Sequence, residues 1–389
     1  MAVTDEVRVI DADSHITEPR DLWTTRLPSK WRDEAPRTEV DPATGVERWI
    51  LDGKFLHSPG AVSHAGWSNF PPSRPPLYSD IQPSCYDCGQ RVAWMDEHGV
   101  AAQILYPNLV AFEGHTIMGL SDPEFKIAIF EAYNSFVAEF AQQAPGRFIP
   151  LAALPFWDIE ASIKEMKRCA DNGHRGVLWA ATLDKHGLPP TTSPYWDPFY
   201  AEAQDLGMSI NFHVGVGWTE EEFAEMSGRN EAFNLKAHVG RTARSWMSNA
   251  KMISDLIMDG VCDRFPTLDF VSVESGFGWV PFLLEGLDWQ WRSMNGSAVT
   301  GDLLPSEYFR RQIYSMFWFE ESSMRLMDLY SDNIMFETDF PHTTSLSPGP
   351  GSASPSPKLV IERARRALDS ETFAKVMHGN AARVYHLEA

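Results

Sequence analysis

No run of about 18 apolar residues occurs in the chain, so no stretch has the makings of a membrane-spanning helix. Basic charge is scarce: 33 Lys and Arg face 53 Asp and Glu, for a formal net charge of −20. A surface of that sign excludes nucleic acid and anionic membranes as expected partners, because both need a basic face. Cysteine is scarce too. Four residues (Cys85, Cys88, Cys169 and Cys262) in a chain of 389 cannot frame a disulfide scaffold. Cys85 and Cys88 form a C-x-x-C with no second ligand pair nearby, and read as two cysteines opening a helix rather than as half a zinc site. Residues 1–6 lack the basic and apolar regions of a signal peptide, which points to a cytoplasmic protein. A Gly-rich phosphate loop after the first strand is also missing, which argues against an open dinucleotide-binding sheet.

What the chain does have is alternation. Strand-like runs are expected at 7–10 (continuing into 11–15), 101–107, 147–154, 175–181, 208–213, 268–274, 312–317 and 333–339. Helical patterns separate them, at 90–98, 122–142, 158–172, 196–206, 232–263, 279–291 and 321–330, and more follow in the tail. Eight such pairs make an α/β chain of the (β/α)8 TIM-barrel type, read as one domain over 1–389. Two segments stand outside the alternation. Residues 23–83 are rich in Pro, Gly, Ser and aromatics and read as a long insertion after strand 1, with one hairpin strand at 47–51. Residues 345–357 form a flexible Pro/Gly/Ser loop after the last strand. The 14 Trp and 23 Phe suggest a large core, an aromatic-lined pocket or a subunit contact.

Polar residues stand where a core would not want them. The first, fifth, sixth and eighth strands end in Asp13-x-His15, His213, Glu274 and Asp339. In a barrel the C-terminal strand ends converge on one mouth, so residues far apart in sequence can meet there. A single buried His or Glu is usually a satisfied core residue. Four strand ends carrying carboxylates and imidazoles point instead to a divalent metal such as Zn²⁺, Mn²⁺ or Fe²⁺. His342, His238 and His115 are further imidazoles within reach of such a site. His342 is read as a ligand, a proton carrier or a group orienting Asp339, and His238 as a ligand for a second metal or a helix-surface residue. Glu18 reads as structural.

These motifs resemble the amidohydrolase superfamily, in the branch typified by aminocarboxymuconate semialdehyde decarboxylase. The similarity runs through Ile10-Asp-Ala-Asp-Ser-His-Ile-Thr-Glu-Pro19, the helix around Met95-Asp96 and Gly99-Val100, Arg175-Gly-Val177, Phe212-His213, 260–268, Glu337-Thr-Asp339-Phe-Pro-His342 and Gly379-Asn380 through Tyr385. It implies a distorted barrel with a mono- or dinuclear metal centre. Asp13 and His15 stand where the family has its first-strand ligands, often His-x-His. His213 stands for the fifth-strand His and Asp339 for the eighth-strand Asp. Two positions depart: Asp13 replaces a His, and Glu274 replaces the sixth-strand His that often acts as acid or electrophile. No lysine ends the fourth strand, so a carbamylated-lysine bridge is not expected.

The resemblance implies a metal-dependent hydrolase or decarboxylase acting on a small organic molecule. The expected metal set is Asp13, His15, His213, Glu274, Asp339 and His238, with Zn²⁺ the first choice, and the expected catalytic set is Asp339, His342 and Glu274. The carboxylate-rich ligands leave two alternatives: a non-haem iron or iron/manganese oxygenase subunit resembling aminoisobutyrate hydroxylase, and a supporting barrel subunit with a structural metal. A homo-oligomer is expected, or a hetero-oligomer with a related barrel.

Overall fold

The computed structural model describes residues 7–70, 73–219, 221–222, 235–298, 300–346 and 349–387. Its frame is a parallel ladder. Strand β1 (Val9–His15) pairs with β5 (Val100–Tyr106), which pairs with β6 (Phe148–Pro150). The chain passes Leu151 into β7 (Ala152–Ala153), and the order continues through β8 (Gly176–Leu178), β9 (Ser209–His213), β10 (Phe270–Val273), β11 (Ile313–Phe317) and β12 (Ile334–Phe336). All these pairings are parallel.

The chain just past the last strand meets the first strand through one parallel bridge, Ser14 with Phe340, rather than through a continuous ladder. Asp339 N donates to Asp13 O (2.9 Å) and His15 N donates to Phe340 O (2.6 Å) at this seam. The barrel is therefore a distorted one. The strands are buried throughout, so they read as largely apolar runs such as Ile313-Tyr-Ser-Met-Phe317 rather than as alternation.

Local signals fix the helices between strands. Asp122 accepts from the Glu124 and Phe125 amides and caps Pro123–Gln142, with Pro123 at the first position, where its missing N–H costs nothing. Asp87 caps Cys88–His98, and Gly99 closes that helix in the left-handed region (φ 76) that its missing Cβ allows. Cys85 ends a short 3₁₀ turn and Cys88 opens the helix.

The insertion after β1 has its own structure. A short helix, Leu22–Arg26, is tied to the long helix by the Trp23 indole, which donates to Ile129 O (2.9 Å). A three-stranded antiparallel sheet follows: β2 (Arg37–Val40), β3 (Glu47–Leu51) and β4 (Lys54–Phe55). The insertion then folds back to the barrel seam. Thr17 and Ser63 share a hydroxyl hydrogen bond (2.7 Å), and His64 N donates to Pro341 O (2.8 Å). The loop after β12 packs on the same insertion, so close that a Cβ on Gly351 would lie 2.0 Å from Phe70 O. No described helix is long and apolar enough to cross a membrane.

Candidate metal centre

The seam between first and last strands sets the site. The β1–β5 register is irregular between Asp11 and Ser14, which separates the roles of Asp11 and Asp13. Asp11 turns into the barrel and accepts from Thr338 N, Thr338 Oγ1, Gln103 Nε2 and Asp13 N, which ties β1 to the chain after β12. Burial pushes Asp11 up to about 7 against the pull of those four donors. Asp13 turns to the mouth, where neither of its buried oxygens has a hydrogen-bond partner.

His15 and His213 face each other across this point. His15 Nδ1 lies 3.2 Å from Pro107 O, and His213 Nδ1 lies 2.6 Å from Val214 O. A carbonyl only accepts, so both Nδ1 atoms carry the proton in the neutral rings and both Nε2 atoms present lone pairs. Those two Nε2 atoms stand 3.0 Å apart. Two lone pairs that close, with no proton between them, call for a cation.

Around them stand the carboxylates. His15 Nε2 is 3.5 Å from Asp13 Oδ1 and 3.7 Å from Asp339 Oδ1. His213 Nε2 is 3.7 Å from Asp13 Oδ2 and 3.8 Å from Glu274 Oε2. Each of Asp13, His15, His213 and Asp339 offers one atom to a group lying within 4.8 Å, and Glu274, Asp339 and His342 form a second group that shares Asp339. Donors on one divalent ion at about 2.0–2.2 Å lie within roughly 4–4.5 Å of each other, so the residues present fit a metal.

Electrostatics lead the same way. Burial, then the negative charges of Asp339, Glu337 and Glu274, push Asp13 well above the usual carboxylate range. Burial and then Asp339 raise Glu274 in the same way. Burial holds His15 well below the usual imidazole value and takes His213 down to about 4. Carboxylates this crowded and this dry ionise together only around a cation, and neutral imidazoles are the form that binds one.

The supporting residues have fixed geometry. Asp339 and Glu274 both hold the left-handed region (φ 55 and 50), which is uncommon for residues with a Cβ and turns their side chains off the strand axes. Glu337 accepts the Glu274 amide at Oε2 (3.1 Å) and so steadies that turn. The Thr344 hydroxyl lies against both Asp339 Oδ2 and Glu274 Oε1, with a single proton for two acceptors. His342 stacks on His15 (centroids 3.8 Å apart), and its Nδ1 is 2.8 Å from Asp339 Oδ1. The Asn108 amide nitrogen donates to Ile16 O, so its oxygen faces His342 Nε2 at 2.8 Å and Nε2 carries a proton. His342 Nδ1 is thereby directed at Asp339. Tyr106 and Phe112 wall the imidazoles, with ring centroids within 6.1 Å.

Of the residues singled out by sequence, the structure brings together Asp13, His15, His213, Glu274, Asp339 and His342. His238 falls in the helix Leu235–Ser245, but its side chain lies outside the described residues. His115, in Gly114–Met118, belongs to neither group. Glu18 accepts the Asn108 and Leu109 amides and shapes the loop after β5. Sequence reasoning missed Asn108, Thr344, Glu337 and Phe112. Only Glu337 had a signal, two residues before Asp339. The other three sit in loops or a single helical turn, where spacing carries no direction.

The family model described as Amidohydrolase matches residues 95–387. The chain is 25% identical over 271 residues to 2-amino-3-carboxymuconate-6-semialdehyde decarboxylase of Dictyostelium discoideum, covering 68% of this chain and 69% of that protein. It is 26% identical over 273 residues to gamma-resorcylate decarboxylase of Rhodococcus jostii, covering 64% and 76% respectively. The crystal structure of a dihydroxybenzoic acid decarboxylase from Polaromonas, with bound manganese and the inhibitor 2-nitroresorcinol, superposes with a TM-score of 0.60 at 19% identity, covering 99% of this chain and 98% of that one.

Proposed function

Because the chain belongs to the amidohydrolase family and is an enzyme of it, we propose that it is a metal-dependent decarboxylase of a small aromatic or unsaturated carboxylic acid. The observation that carries this is the pair of bare Nε2 atoms of His15 and His213, 3.0 Å apart beside the unpartnered oxygens of Asp13. Asp13, His15, His213 and Asp339 would hold one divalent ion, and Glu274 and His342 flank it. Two carboxylates and two imidazoles suit Mn²⁺ or Zn²⁺. The manganese in the Polaromonas relative favours Mn²⁺ over the Zn²⁺ first expected. When bound, the ion would hold the substrate carboxylate and an adjacent oxygen and offset their negative charge.

The chain's own residues then handle position and protons. Loss of CO₂ breaks the bond between the substrate carbon and its carboxylate, the electron pair stays on that carbon, and a proton must reach it. Asp339 is the group to pass that proton on at Oδ1: with its Nε2–H held by Asn108, His342 in its imidazolium form carries a second proton on Nδ1, 2.8 Å from Asp339 Oδ1. Asn108 keeps His342 turned to that task. Glu274 replaces the imidazole expected on the sixth strand and shares Thr344 with Asp339, so it sets the direction of the Asp339 carboxylate. Phe112 and Tyr106 keep water off the imidazoles and offer flat apolar walls to a planar substrate.

Decarboxylation takes precedence over the O₂-activating and supporting-subunit readings because both sequence relatives above are decarboxylases. The test is metal-dependent release of CO₂ from a panel of hydroxybenzoates and amino-carboxymuconate-like acids by protein reconstituted with Mn²⁺ or Zn²⁺. Release that stops on chelation and in Asp339→Asn supports the reading; hydrolysis of esters or amides with no CO₂ from any acid overturns it.

A further inference from the structure

The helix Val280–Ser293, which follows β10 and Glu274, is apolar on two opposite sides. Val280, Leu284 and Leu287 recur at helical spacing and turn to the barrel core. Phe282 and Trp289, seven residues apart and so on one line, lie on the opposite side and are 83% and 70% exposed. Met294, just past the helix, is 75% exposed and extends that surface. A helix apolar on all sides belongs in an interior, yet this one lies at the surface of the single chain. Gly286 stands on the same exposed side, and nothing comes within 4 Å of where its Cβ would be, so no clash within the chain calls for a glycine there. One flank of the line carries opposite charges, the exposed Glu285 and Arg292, also seven residues apart. Arg292 reaches Asp288 only at 3.9 Å, and the two Asp288 oxygens already accept from Ser306 (2.9 and 2.8 Å).

We propose that this face is the contact by which two copies of the chain form a dimer, antiparallel about a two-fold axis beside Trp289. Such an axis sets the same flank of each helix against its counterpart. Glu285 then faces the partner's Arg292, and Arg292 faces the partner's Glu285, because the axis lies midway between these positions. The two Trp289 rings meet at the axis, and Gly286 leaves room for the partner's Trp289. A second copy is the occupant because one helix carries both members of the charge pair, at the spacing that a two-fold contact exchanges. The area is of the right size. Large apolar side chains bury about 150 Å² or more each. Phe282, Trp289 and Met294 on both copies therefore remove on the order of 900 Å² from water, and their polar rim brings the contact to the roughly 1,200 Å² at which stable interfaces begin.

The test is sedimentation velocity of the full chain across micromolar concentrations, with no metal or substrate needed. The parent protein should be a dimer. Glu285→Arg alone and Arg292→Glu alone each set like charges across the axis twice, and each should weaken the dimer by about tenfold or more. An equimolar mixture of these two variants should dimerise as the parent does, because every facing pair is again of opposite sign; the double variant Glu285→Arg/Arg292→Glu should do so as well. Within one helix the two positions are two turns apart, so no contact inside a chain would give that recovery. Trp289→Ser should be monomeric. A monomeric parent, a dimer that either single charge variant or Trp289→Ser leaves intact, or a mixture that stays monomeric would overturn the proposal. A circular dichroism melt checks that each variant is folded, which the exposure of these positions predicts.

Discussion

At the residue scale, the centre depends on side chains held by others. Asp339→Asn keeps the shape but removes the proton carrier and a metal donor; kcat should fall by about 10²–10⁴-fold while the far-UV spectrum is unchanged. Asn108 belongs to neither group of candidate metal ligands, yet it fixes which nitrogen of His342 faces Asp339. Asn108→Leu should therefore lower kcat or metal affinity by about 10–100-fold, the range seen when a partner orienting a site residue is removed. Asn108→Ser, which keeps an oxygen, should lose less, and steady-state kinetics on the pair checks the order. The polar strand ends were legible in sequence because Asp13, His15, His213, Glu274 and Asp339 interrupt apolar runs. Asn108 and Thr344 were not, because a loop residue's direction depends on contacts from elsewhere in the chain.

At the element scale, the strands were readable because turns and helix caps such as Asp87, Gly99 and Asp122 punctuate them. The short run Ile313–Phe317 was the faintest: it is buried on both faces and so has neither the strand nor the helix period. The insertion was legible as an insertion and as one hairpin strand, but not as a three-stranded sheet that folds back to Pro341. Nor does sequence disclose that the loop after β12 packs on it. That docking makes a specific prediction. Gly351→Ala places a methyl group 2.0 Å from Phe70 O, a backbone atom that cannot swing away. The variant should melt lower, by an amount equivalent to about 1–3 kcal/mol, and exchange amide hydrogens faster in residues 64–70 and 349–356 than elsewhere. Unchanged protection in both segments would show that they do not support each other.

At the scale of the whole molecule, metal, pH and folding are linked. In the metal-free protein the folded-state pKa values of Asp13, Glu274 and Glu337 lie above the unfolded carboxylate range of about 4. Groups of that sign contribute stability that is complete below the unfolded value and lost as pH rises through the folded one. His15 and His213 are depressed, so their contribution is present above about 6.5 and lost as pH falls, for His213 through about 4. A divalent ion needs ionised carboxylates and neutral imidazoles, so both sets make binding tighter as pH rises. The rise in Tm on adding Mn²⁺ should be greater at pH 8 than at pH 5, and calorimetry in buffers of different ionisation enthalpy should detect protons released on binding. At about a thousandfold excess over Kd the ion should add roughly 4 kcal/mol to stability. The claim beneath all of this is that four strand-end and seam residues, Asp13, His15, His213 and Asp339, form one metal centre, and metal content per chain tests it most directly. Protein reconstituted with Mn²⁺ or Zn²⁺ and then desalted should retain at least one ion per chain by elemental analysis, and the folded double variant Asp13→Asn/His213→Gln should retain none. A folded parent protein that holds no metal after reconstitution, or a double variant that holds as much as the parent, would contradict it.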